Sequence, residues 1–226
     1  MPHSSPPARF KRLVVATANL GKLREFRSLL AGLPFELTSL AELKLPSPAE
    51  IGSSFLANAT LKARHAAALS GCAAVADDSG LEVDALGGAP GIYSARYAGP
   101  DADDSANNAK LLSALKGVPG EQRRARYQCA LVFVAAPDAA PLKAEAAWQG
   151  YILDAPRGSG GFGYDPYFWL PERGLTAAEL APEEKNRLSH RGKAMRALRE
   201  LLLAQLGAPD PAMADPAAAD PLAARA

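Results

Sequence analysis

The sequence predicts an α/β domain built on a mixed central sheet flanked by helices. Three observations carry that expectation. The apolar run Arg12-Leu13-Val14-Val15-Ala16-Thr17 is followed by a loop, an amphipathic helix and a second apolar strand, an order that favours a parallel pair. Two longer strands, Arg124 to Ala136 and Leu142 to Ile152, are joined by a short turn at residues 137–141 and read as antiparallel neighbours. Helical segments with apolar stripes separate and follow these strands. A chain of 226 residues suits one such domain and can bury a sizeable core.

Taken in order, residues 1–10 are rich in Pro and Ser and are expected to be disordered. The first strand has the near-continuous apolar character of a strand covered on both faces. The loop Thr17-Ala18-Asn19-Leu20-Gly21-Lys22 leads into a helix from about Lys22, with Leu23, Phe26, Leu29, Leu30 and Leu33 inward, and Phe35 to Leu40 forms the second strand. A Pro-rich loop containing Glu50 ends near Ser53 or Ser54 as the N-cap of an Ala-rich helix from Phe55 to Ser70. Ala73 to Ala76 reads as a short buried strand ending at Asp77-Asp78-Ser79-Gly80, and Leu81 to Asp84 as a short exposed one.

A Gly-rich stretch, Gly87 to Gly91, precedes Ile92 to Tyr97, and Asp103 to Lys116 forms a helix with an acidic first turn. After the two long strands, the glycine-rich loop Gly158 to Pro166 leads to a strand at Tyr167 to Leu170. Thr176 and Glu179 have capping-box spacing for a short helix. Ser189-His190-Arg191-Gly192 opens a long final helix with Leu198, Leu201, Leu202 and Leu206 inward. The folded domain therefore spans 11–207, and the Ala/Pro/Asp tail 208–226 is expected to be disordered.

A net charge of +1 gives no electrostatic case for a nucleic-acid or membrane surface. No apolar run approaches the ~18 residues of a membrane span, and the N-terminus has neither the basic nor the apolar region of a signal peptide. Cys72 and Cys129 lie far apart without metal-ligand spacing, which points to buried thiols in a reduced compartment. The expectation is a cytoplasmic protein.

Four stretches can carry chemistry. The Thr17–Lys22 loop sits at a helix N-terminus, where anions are favoured, and Lys22 could neutralise a phosphate; a plain turn capped by Asn19 fits equally. It lacks P-loop spacing. Asp77 and Asp78 have side chains on opposite sides of an extended chain, so one can serve structure while the other faces a cleft; Asp-Ser-Gly is also ordinary turn chemistry. With Glu50 they are the carboxylates best placed for a hard cation, since magnesium takes one or two carboxylates and leaves the rest of its shell to phosphates and water. Phe162-Gly163-Tyr164-Asp165 could stack on a base. His190 and Arg191 place positive charge at a helix N-terminus, against the dipole, which suggests an anion or a polar ligand edge.

Five stretches together resemble the inosine/xanthosine triphosphate pyrophosphatase family over about residues 12–206: Thr17 to Lys22, Ala76 to Leu81, Gly87 to Tyr97, Gly160 to Pro166 and Ser189 to Gly192. The resemblance implies a mixed, largely elongated central sheet flanked by helices, in two lobes with an active-site cleft between them. It implies magnesium-dependent hydrolysis of deaminated purine nucleoside triphosphates, a homodimer, and no nucleic-acid or membrane partner. Carried over position by position, Asp78 would be the proton acceptor and a magnesium ligand, with Glu50 as second ligand. Thr17, Ala18, Asn19, Leu20, Gly21 and Lys22 would bind the triphosphate, and Ser79 would touch the substrate. Phe162, Gly163, Tyr164, Asp165, Lys185, His190 and Arg191 would complete the nucleotide pocket. Ala18 departs from the Gly or other small residue usual there. The apolar stretch Tyr127 to Ala136 is a candidate for part of the dimer interface.

Overall fold

The first strand and helix form where the apolar pattern places them. The computed structural model describes residues 12–17, 20–33, 35–48 and 51–206. Strand β1 (Arg12–Val15), helix α1 (Leu20–Leu29) and strand β2 (Glu36–Ser39) make a β-α-β unit with the strands parallel. Helix α1 buries Leu23 and Phe26, with Leu30 and Leu33 just beyond it. Helix α2 (Phe55–Ser70) is capped by Ser54, whose hydroxyl accepts from Ala57 N at 3.1 Å. It leads into β3 (Ala73–Val83), also parallel to β1.

Helix α3 (Asp104–Ala114) is capped by Asp103 and is followed by β4 (Arg124–Val134) and β5 (Leu142–Ile152). Two short strands, β6 (Phe168–Leu170) and β7 (Leu175–Thr176), precede α4 (Pro182–Leu188) and α5 (His190–Leu206). The seven strands form one sheet in the order β2-β1-β3-β4-β5-β6-β7, antiparallel from β3 onward.

Side chains alternate across this sheet, and the alternation divides the core. On one face, Leu13, Val15, Ala73, Val75, Leu131 and Phe133 pack against α1 and the Met195, Leu198 and Leu202 stripe of α5. Farther along the same face of β3 and β4, Leu81, Val83, Ala125 and Tyr127 join Leu111, Trp148 and Phe168 in a separate core. Asp77 and Ser79 lie on β3 between the two. The opposite face meets the alanines of α2, with Val14, Ala74, Ala76, Ala130 and Val132 beneath Ala59, Ala63, Ala66 and Ala67. Phe26, Phe133 and Phe168 anchor the cores on the first face, each fully buried and worth roughly 1.5–3 kcal/mol by burial alone.

Several sequence expectations are corrected. Asp77-Asp78-Ser79-Gly80 is neither a turn nor a strand end: β3 runs through it, with Asp77 opposite Leu131 and Asp78 opposite Ala130 on β4. Pairing along the full length of β4 outweighs the turn character of Asp-Ser-Gly, and the residues read as a separate exposed strand continue β3 with Leu81 and Val83 buried. Gly80 has a packing role there. A Cβ on it would stand 2.5 Å from both Gly91 O and Ser94 Oγ, so its absence lets the 3-10 turn Gly91–Arg96 lie against the strand.

Thr176 does not start a helix. Its hydroxyl donates to Arg157 O at 2.8 Å, and Glu179 returns to the Thr176 N–H at 2.7 Å within a turn that ends at α4, a helix the sequence reading did not separate from the last one. Leu201 is exposed, because it falls off the stripe formed by Met195, Leu198 and Leu202. Of the stretch Tyr127 to Ala136 expected at a dimer interface, the residues up to Val134 lie in β4 between β3 and β5, with their apolar side chains filling the cores rather than facing a partner. Cys72 and Cys129 are free thiols, the second buried. The expected disordered ends, 1–10 and 208–226, lie outside the described residues.

Candidate active site

Adjacent residues of a strand face opposite ways, and Asp77 and Asp78 do so here with different partners. Asp77 turns toward α1 and α5. It forms an ion pair with Lys22, accepts from Arg191 Nε at 3.1 Å, and lies 3.3 Å from Cys129 Sγ. Burial opposes its ionisation, but Arg191, followed by Lys22 and Lys62, outweighs burial and holds the carboxyl far below the ordinary carboxylate range. Asp78 turns toward α2, where Lys62 Nζ donates at 2.6 Å and Asn58 Nδ2 at 3.1 Å. Asn58 also accepts from Gly52 N at 2.7 Å, which ties the preceding loop to the same carboxylate.

The two faces communicate around an edge. β1 pairs with β3 only as far as Val75, so beyond that point no strand of the described residues covers the β1 side of β3. Thr17 follows the end of β1, and Gly21 and Lys22 lie in the first turn of α1. Lys22 on one face and Lys62 on the other thus flank the stretch holding both aspartates.

On the Asp77 side a cleft of about 250 Å³ opens between the two cores. Its charged wall is a chain of ion pairs. Arg191 reaches Asp77 and Glu25 and donates from Nη2 to Ser79 Oγ at 2.9 Å. Lys185 donates to Asp165 at 2.6 Å, and Asp165 also accepts from Phe162 N at 2.8 Å and Tyr127 OH at 3.3 Å. Asp77 and Glu25 explain how Arg191 tolerates the first turn of α5, where the dipole disfavours a cation. Gly192 permits the arrangement sterically: a Cβ there would run into the carbonyl oxygen of Asn186 on α4.

Aromatic rings lie beside this charged wall. The Phe162 ring has Lys185 Nζ 5.0 Å and Arg191 Cζ 5.8 Å from its centroid. His190 stacks on Tyr127 at 4.7 Å with a 9° interplanar angle, and its Nδ1 is buried without a hydrogen-bond partner. Burial first, and then Arg191, push the imidazole well below its ordinary value, so it is neutral at physiological pH. Tyr164 OH donates to Ser94 O at 2.8 Å, joining this loop to the 3-10 turn over Gly80.

Lys22, Ser79, Phe162, Gly163, Tyr164, Asp165, Lys185, His190 and Arg191 therefore share one cleft wall. Thr17, Gly21 and Asp78 lie beside that wall rather than on it. Ala18, Asn19, Glu50 and the Leu20 side chain, all named from the sequence, are outside the described residues. Sequence reasoning missed Glu25, Asn58, Lys62, Asp104 and Tyr127. For Asn58 and Lys62 there is a legible signal: a polar pair four residues apart on the alanine stripe of α2, both buried. Among the described residues no group of three His, Cys, Asp or Glu side chains could hold a metal ion alone.

The chain matches known proteins over most of its length. A family model described as the Ham1 family matches residues 13–201. A dITP/XTP pyrophosphatase of Methylococcus capsulatus is 54% identical over 198 residues, covering 87% of this chain and 98% of the relative. One from Vibrio cholerae is 52% identical over 83% and 94%. Among solved structures, a HAM1 protein from Coxiella burnetii superposes with a TM-score of 0.80 at 43% identity, covering 85% of this chain and 98% of that one. A nucleoside-triphosphatase/dITP/XTP pyrophosphatase from Mycobacterium abscessus gives 0.66 at 45% identity over 84% and 98%. With the resemblance read from its motifs and the sheet they fold into, the chain belongs to the Ham1 family.

Proposed function

We propose that this protein is a nucleoside triphosphate pyrophosphatase that hydrolyses inosine, deoxyinosine and xanthosine triphosphates to the monophosphate and pyrophosphate, clearing them from the nucleotide pool. The relatives named dITP/XTP pyrophosphatase support the reaction class. The observation that carries the reading is the placement of an aromatic, cation-lined cleft directly against the strand bearing Asp77 and Asp78. The base would lie by Phe162 and His190, and the triphosphate would pass Lys22 and cross the open edge of β3 toward Asp78.

Different settings support different roles for the two carboxylates: Asp77 is bound by Arg191 and Lys22, Asp78 by Lys62 and Asn58. Asp77, held ionised by Arg191 and Lys22, is a poor proton acceptor and instead fixes the two cations. Asp78 takes the proton from the attacking water as its oxygen bonds to the α-phosphorus. The bond from that phosphorus to the bridging oxygen breaks, and pyrophosphate leaves with the electron pair. Lys22 offsets charge on the departing group, and Lys62 and Asn58 hold the Asp78 carboxylate in place.

The Asp78 carboxylate at the open edge of β3 supports a magnesium requirement, since this hard cation needs only one or two carboxylates. Asp78 and Glu50 would hold it. When bound it would supply positive charge that offsets the charge of the triphosphate.

Base selection follows from hydrogen-bond matching. A 6-keto purine presents an acceptor where adenine presents a donor, so donors from His190, Arg191 or nearby backbone would favour the former. Measuring pyrophosphate release from inosine, xanthosine, adenosine and thymidine triphosphates in magnesium tests the proposal. Rapid release from the first two is expected; equal rates for all four, or release of single phosphate, would refute it. We further propose a cytoplasmic homodimer, for which light scattering should give twice the 23.6 kDa chain mass.

A further inference from the structure

The backbone of Gly163 is gripped from both sides by one helix. Its N–H donates to Asp104 Oδ2 at 2.7 Å, and its carbonyl accepts from Asn108 Nδ2 at 2.9 Å. Asp104 and Asn108 are four residues apart on α3 and so present their side chains together. Asn108 is nearly buried and also donates to Asp104 O at 2.8 Å, which ties the two ends of the grip to one another. Gly163 has a φ of 62°, in the left-handed region that glycine adopts without strain, so the peptide presents its N–H and carbonyl to α3 at no backbone cost.

The neighbouring residues have different anchors. Phe162 N–H goes to Asp165, and Tyr164 OH goes to Ser94 O. Gly163 is instead bonded by two side chains of α3, a helix separate from α1, α5 and the strand bearing Asp77 and Asp78. Its position bears directly on the Phe162 ring, one residue away and on the cleft wall with Asp104.

We propose that Asp104 and Asn108 form a clamp on the Gly163 peptide that sets the position of the Phe162 ring, making them positioning residues for recognition of the nucleotide base. This inference rests on the base lying against Phe162, as proposed above. The clamp acts at the base end alone; the phosphate end depends on Lys22, Asp77 and Asp78.

Titration of the full-length protein with inosine monophosphate tests the clamp without requiring turnover. Asp104→Ala should weaken that binding about tenfold or more, as expected for loss of a charge-assisted hydrogen bond that fixes a contact surface. Inhibition by inorganic pyrophosphate should stay within about twofold, because it needs no base contact. Asp104→Asn keeps an acceptor oxygen and should recover most of the affinity. Asp103→Ala removes the N-cap of α3 but leaves the clamp, so it should lower stability without weakening nucleotide binding. If Asp104→Ala proves poorly folded, Asn108→Leu tests the other arm with the same expectation. Unchanged monophosphate affinity in a folded clamp variant, or equal losses for monophosphate and pyrophosphate, would overturn the clamp. Absence of triphosphate hydrolysis by the unmodified protein would instead overturn the proposed function.

Discussion

Arg191 donates from Nε to Asp77 at 3.1 Å while its other nitrogens reach Glu25 and Ser79, so one guanidinium joins the start of α5 to α1 and to the centre of β3. Asp77 is almost wholly buried, and its charge is matched by this contact and by Lys22. Removing one member of a buried pair leaves the other charge without compensation. Asp77→Asn should therefore destabilise the fold by about 3–5 kcal/mol, measured by urea unfolding. A loss below about 1 kcal/mol, the scale of an exposed pair, would show that the cluster is not a structural clamp.

Local pattern made much of this fold legible. The β-α-β opening, the Ser54 cap and the β4–β5 hairpin each depend on residues close in sequence, where periodicity and turn chemistry act. The middle of β3 was not legible in the same way. Two carboxylates followed by Ser-Gly have poor strand propensity, and they are held extended by β4 and by Lys22, Lys62 and Arg191 from distant segments. The cluster around Arg191 was half legible: its cations conflict with the helix dipole in sequence, but their partner Glu25 lies on the exposed-looking side of an ordinary amphipathic helix. The polar pair on α2 is legible from its four-residue spacing among alanines.

Gly192 should tolerate no side chain. Because the obstacle in Gly192→Ala is the backbone oxygen of Asn186, α4 and α5 must separate to admit the methyl group. The expected cost is about 1–3 kcal/mol, with weaker nucleotide binding as His190 and Arg191 shift. Thermal unfolding and inosine monophosphate titration read both effects; wild-type values for both would show that the close helix approach does not position the site.

His190 gives a pH signature. It stays neutral in the fold, while the unfolded chain protonates the same side chain below its ordinary value of 6.5. Its contribution to stability is therefore complete above that pH and is lost as pH falls below it, at up to about 1.4 kcal/mol per pH unit. Between pH 7.5 and 5.5 the wild-type protein should lose more stability than His190→Gln, and the His190 imidazole resonance should not titrate over that range. Parallel stability profiles for the two proteins would contradict a buried neutral imidazole.

Lys62 and Asn58 should matter through Asp78. Lys62→Met keeps the length of the buried stem and removes the charge that meets Asp78 at 2.6 Å. The turnover number for inosine triphosphate should fall by about 10²-fold or more, with affinity for inosine monophosphate little changed, because the cleft proposed to take the base lies on the other face of β3. A variant with normal turnover would remove Lys62 from the account.

The division of labour between the adjacent aspartates is tested most directly by pyrophosphate release from inosine triphosphate by Asp78→Asn. The substitution preserves shape and a hydrogen-bonding oxygen but removes the proposed proton acceptor. The rate should fall by about 10²–10⁴-fold while inosine monophosphate still binds. A near wild-type rate of pyrophosphate release by Asp78→Asn would contradict the assignment of Asp78 as the base.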